Sequence, residues 1–128
     1  MVLALVSLLV VADSTCGVRR CTCLPASDSA HAARADVVFT GDVLLVLDQP
    51  DADRTSVVLR VLARSKGSTA DTVRVVTGRG GGDCAVPFAL ERRWRVYARE
   101  WQGELWTNNC VGTQPLEPRS ATGRGDPG

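Results

Sequence analysis

The chain has 128 residues, a formal net charge of +1 and a hydrophobic fraction of 45%, which suits one domain with a modest core and not two. So small a net charge supplies no field that would gather nucleic acid or an anionic membrane surface. An aromatic content of 5% is also low for a base-stacking surface, so no nucleic-acid partner is expected.

Met1 to Ala12 (MVLALVSLLVVA) is an apolar run too short to span a bilayer as a helix. It reads as the apolar region of a secretory signal, with the small residue Ala12 at the cleavage position, although no Lys or Arg precedes it. The other reading is a buried first strand. Residues 1–15 are assigned to a signal peptide and linker, residues 16–116 to the domain and residues 117–128 to a disordered tail. A secreted or extracytoplasmic protein without a membrane span is expected.

Five cysteines (Cys16, Cys21, Cys23, Cys84 and Cys110) in a small exported chain read as a disulfide framework with one thiol left over. Cys21 and Cys23 are separated by a single residue, a spacing at which two thiols do not easily pair with each other. Each therefore needs a distant partner. The expected bridges are Cys21–Cys84 and Cys23–Cys110, with Cys16 unpaired or lost with the leader. Loops of this length are worth about 4 kcal/mol each by chain entropy. A zinc site of the protein's own is not expected, because no C-x-x-C pair is present and His31 is the only histidine. Cys16 also invites an acylated-cysteine reading, but the aliphatic residue such a site requires three positions earlier is Asp13.

After Pro25, the small residues of Ala26–Arg34 predict one helical turn capped by Ser27 or Asp28, with His31 solvated within it. Ala35–Leu47 is rich in β-branched and aliphatic residues and predicts a long strand, bent or bulged at Gly41. Asp48–Arg54 is a turn, Thr55–Ala63 a second strand, and Thr72–Thr77 an alternating third. Gly78–Asp83 (GRGGGD) lacks the Gly-Lys-Ser/Thr of a phosphate cradle and reads as a flexible loop. Arg93–Ala98 and Glu104–Asn108 predict the fourth and fifth strands, joined by a turn at Gln102-Gly103. Val37, Phe39, Val58, Val73, Val75 and Val96 are the expected interior positions. A slip of one residue in any strand would exchange its two faces.

No H-E-x-x-H or G-x-S-x-G pattern occurs, and the carboxylates are scattered, so no enzyme and no cofactor are expected. The cluster Arg92, Arg93, Arg95 and Arg99 reads as a solvated strand face or as a partner surface. Trp101 and Trp106 read as core or hairpin packing. The tripeptide Arg124-Gly125-Asp126 is treated as a chance feature of an arginine- and glycine-rich tail.

Several of these pieces, taken in order, carry a resemblance. They are Cys21-Thr22-Cys23-x-Pro25, Ala35-Asp36-Val37-Val38, Lys66-Gly67, the isolated Cys84, Trp94–Ala98, and Gly103-x-Leu105-x-Thr107 running into Cys110. Together they resemble the tissue inhibitors of metalloproteinases and, more broadly, netrin-like domains. The resemblance implies an all-β, five-stranded OB-fold barrel with short helical segments. It also implies a reduced, bacterial-type member, since the family's third bridge has no counterpart here. By the same resemblance Cys21, Thr22, Cys23, Leu24 and Pro25 form an inhibitory edge. Cys21, if it is the free N-terminus, would chelate the zinc of a target protease, and Thr22 would enter the substrate pocket. The implied partner is a zinc metalloprotease bound by a monomer. The alternative is a netrin-like module without inhibitory activity that binds a protein or a glycan.

Overall fold

Runs of valine broken by Gly, Pro and Asp clusters form strands here because branched side chains pack well on a pleated surface that is covered on one face. The computed structural model describes residues 21–80 and 82–116; the leader, Cys16 and the tail lie outside them. The elements are α1 (Asp28–Arg34), β1 (Val37–Gln49), a 3-10 turn (Pro50–Ala52), β2 (Arg54–Lys66), β3 (Thr72–Thr77), β4 (Arg93–Trp101), β5 (Glu104–Trp106) and β6 (Gln114–Leu116). The fold is mostly β. One mixed sheet runs β1-β2-β3-β5-β4-β6, and β1 also pairs with β4, so five strands make a ring.

β1 and β2 are each 13 residues long and form the longest ladder. Their register shifts between Val38 and Phe39, between Thr40 and Gly41 and between Val43 and Leu45, which bends the ribbon. Gly41 is required at the second of these, where a Cβ would lie 2.8 Å from the Arg60 carbonyl oxygen. The first half of β1 also pairs with β4, Val37 to Asp42 against Ala98 to Arg93. All pairings are antiparallel except β3 with β5, which meet in parallel at Val75–Leu105 and Val76–Trp106. Gln102 and Gly103 both have positive φ and make the tight turn between β4 and β5.

The main core gathers Val37, Phe39, Val43, Val57, Leu59, Val75, Val96 and Ala98 inside the ring, with Val86, Phe88 and Trp94. The expectation for Val58 is corrected. Val57 and Leu59 are fully buried and Val58 faces the other way. Arg60 lies on the same face as Val58, and burying that face would have buried a guanidinium. Val73 is only partly buried against the core.

A second, smaller cluster forms on the outside of the ring. Ala35, Val38 and Tyr97 are buried there, with Ala32 and Val111 packed on them. Helix α1 covers this patch. Its N-terminus is capped by Ser27, whose Oγ accepts from Ala30 N–H at 3.1 Å, and Asp28 and Arg34 complement the helix dipole. Lys66 Nζ donates to the Ala32 carbonyl at 2.8 Å, tying the helix to the end of β2. Among the described residues no helix is long and apolar enough to cross a membrane.

Candidate functional site

The site is built from three segments: residues 21–25 and the two loops that carry Cys84 and Cys110. The bridges join Cys21 to Cys84 and Cys23 to Cys110, the pairs expected from the sequence, with Cα atoms 5.0 Å apart in each. Alternate residues of the leading segment consequently face the fold. Cys21 and Cys23 are half-buried, whereas Thr22, Leu24 and Pro25 are exposed, Leu24 by 90%. A leucine so exposed beside a rigid anchor is available to a partner surface.

Local hydrogen bonds fix the two receiving loops. Thr77 is buried at the end of β3, and its Oγ1 accepts from Val86 N–H at 3.0 Å. The Asp83 carboxylate accepts from the N–H groups of Arg79, Gly80 and Ala85, which closes the glycine-rich segment into a turn. Cys84 follows with φ +60°, a left-handed conformation that turns its side chain toward the leading segment's sulfurs. Its carbonyl accepts from Asn109 N–H at 2.8 Å, and Asn109 Nδ2 donates to the Ala85 carbonyl. Cys110 N–H donates to Asn108 Oδ1 at 2.8 Å.

The loop that holds Cys110 is pinned at both ends to one strand. Thr107 Oγ1 donates to the Tyr97 carbonyl at 2.8 Å, Thr113 Oγ1 accepts from Tyr97 N–H at 3.0 Å, and the two hydroxyls meet at 2.6 Å. All three residues are buried, so these bonds are shielded from water. Gly112, at φ +112°, lets the same loop approach α1, and a Cβ there would lie 2.7 Å from His31. His31 is half-buried against Tyr97, with ring centroids 5.9 Å apart, and not solvated as its sequence context suggests.

Four sulfurs thereby come together. Across the two bridges, Cys84 and Cys110 are 3.5 Å apart, Cys21 and Cys110 3.6 Å, and Cys21 and Cys23 3.8 Å. These four are the only group of three or more candidate metal-ligating side chains among the described residues.

Elsewhere, four ion pairs join Arg54 with Glu104, Arg64 with Asp71, Arg79 with Asp48 and Arg93 with Asp42 among the described residues. The Arg93 guanidinium holds the Asp42 carboxyl below the usual carboxylate range through a hydrogen bond at 2.8 Å, and Arg79 does the same for Asp48. Each arginine is raised in return. Of the basic cluster, Arg93 is thus neutralised, Arg95 is half-buried, and Arg92 and Arg99 remain exposed. Trp106 is half-buried beneath Trp101, which meets it edge-on at 5.8 Å while staying 58% exposed. Arg54 lies 5.8 Å from the Trp106 ring centroid and forms a bidentate pair with Glu104. The two tryptophans are hairpin packing in this sense. Comparison of the chain with protein-family models and with curated proteins finds no match to either.

Proposed function

We propose that the chain is a secreted OB-fold domain of the netrin-like, tissue-inhibitor type that inhibits a zinc metalloprotease through the edge Cys21–Pro25. The observation that supports this reading is the leading segment's attachment, with two bridges on alternate residues and the side chains of Thr22, Leu24 and Pro25 facing solvent. A segment held in this way loses little conformational entropy when it enters a cleft. In a chain that begins at Cys21, the neutral α-amine and the carbonyl oxygen are two hard donors on adjacent atoms. They can take the place of the zinc-bound water that performs hydrolysis. The Thr22 side chain would then project into the pocket beyond the metal.

The chelating step requires that the 20 residues preceding Cys21 in the sequence be removed, since an amide nitrogen is no ligand. Intact-mass measurement of the exported protein checks this, and titration against a panel of zinc endopeptidases checks the activity. The expected result is a chain starting at Cys21 that inhibits at micromolar concentration or better and loses inhibition on N-terminal acetylation. Inhibition should also strengthen as pH rises through the ordinary α-amine value of about 8, because only the neutral amine binds metal. A mature chain starting at Asp13 or Cys16 would sink the chelating mechanism. The second reading then applies, a non-inhibitory module that docks a protein or glycan, and the exposed Arg92, Arg99 and Trp101 favour it.

A further inference from the structure

We propose that the reduced form of this chain binds one zinc ion through the thiolates of Cys21, Cys23, Cys84 and Cys110. A zinc tetrathiolate has Zn–S bonds of about 2.3 Å, which places its sulfurs at the corners of a tetrahedron with edges of about 3.8 Å. Three of the four sulfur pairs not bonded to each other already lie near that spacing, at 3.5, 3.6 and 3.8 Å, and the fourth, Cys23 with Cys84, falls within the 4.8 Å that spans all four sulfurs. Opening the two bridges to the same distance takes side-chain rotation of four half-buried cysteines, which also leaves the ion a path in from solvent.

Two of the four ligands are held in place without any bridge. The Asn109 N–H on the Cys84 carbonyl, the Asn109 amide on the Ala85 carbonyl and the Asn108 oxygen on Cys110 N–H keep those loops together. Thr107 and Thr113 anchor the second loop to Tyr97 independently of sulfur. Cys21 and Cys23 then supply the remaining pair from one short segment, so zinc closes the same loops that the disulfides close. The chemistry balances simply. Each bridge is reduced either by two thiols, which end as a disulfide, or by a phosphine with one water, which end as the phosphine oxide; both routes give two cysteine thiols per bridge, and the four thiols release four protons when zinc binds. The soft sulfur set and tetrahedral spacing favour zinc over magnesium or calcium. This inference concerns the reduced chain and stands apart from the inhibitory reading, which concerns the oxidised one.

The test uses the full chain with Cys16→Ser, reduced with a phosphine under nitrogen and titrated with cobalt(II) and then zinc chloride. The expected result is the absorption of a tetrahedral cobalt tetrathiolate, saturating at one equivalent and bleached by one equivalent of zinc. Cys84→Ser should lose that spectrum. Because a substituted chain can fail to fold, a second measurement counts alkylated thiols by mass in the Cys16→Ser protein, and zinc should shield all four. Absence of cobalt or zinc binding by the reduced protein would overturn the proposal. So would an unchanged spectrum in Cys84→Ser, or zinc that leaves the four thiols open to alkylation.

Discussion

The ring of strands and the leading segment are held by different means. From Val37 to Trp101 the chain is joined by ladder hydrogen bonds and by side chains that water does not reach, Phe39, Val57, Leu59, Val75 and Val96 among them. Residues 21–25 take part in none of those ladders, and among the described residues no backbone hydrogen bond outside helices and strands attaches them to the ring. Sulfur replaces both forces there. The ring therefore owes its stability to many weak contacts that fail together, whereas the edge owes its position to two bonds that can be removed one at a time.

That contrast can be broken from either side. Phe39→Ala removes a side chain of zero exposure from the centre of the ring and should cost about 3–5 kcal/mol, read as a lowered denaturation midpoint. The edge should lose its order together with the sheet. Replacing Cys23 and Cys110 by alanine should cost about 4 kcal/mol or less, through the freedom returned to the unfolded chain. In that variant amide exchange in β1 to β4 should keep its native pattern while proteases gain access to residues 21–26. A protected edge after loss of this bridge would mean that contacts other than sulfur hold it. The smallest effect is electrostatic. The Asp42 carboxyl is held below its ordinary range by Arg93, so its contribution is fully present above the unfolded carboxylate value. It is lost as pH falls through the lower folded value. Asp42→Asn should remove that part of the acid sensitivity, with a cost under about 1 kcal/mol at neutral pH because both half-buried side chains keep contact with water.

Much of the ring was legible because its strands are local runs of β-branched residues. Thr72–Thr77 matches its predicted span, and β1, β2 and β4 differ from theirs only at the ends. β5 stops at Trp106, short of the predicted Asn108, because Thr107 turns in to bond Tyr97. β6 was missed. It is three residues long with Pro115 at its centre, and a proline leaves no alternation to read and fits only an edge position such as this one. The parallel pairing of β3 with β5 also left no trace, since partner choice between distant strands is set by ring closure and not by either strand alone. For β2, the presence of Arg60 two residues from Val58 held the information needed to choose the buried face. At the candidate site the cysteines were visible as types and spacing. Their setting was not, because Thr107, Thr113 and Asn109 act on backbone groups that only the folded chain brings within reach.

The sequence separations of the two bridges, 63 and 87 residues, also bear on biosynthesis. Cys21 and Cys23 leave the ribosome well before Cys84 and Cys110, their mates. Premature oxidation of the emerging N-terminus can therefore join only the wrong thiols, and the correct cross-links must wait until strand assembly has set Cys84 beside Cys110. Production in a host that oxidises before the sheet has closed should give scrambled isomers, and a disulfide isomerase should raise the yield of the native one.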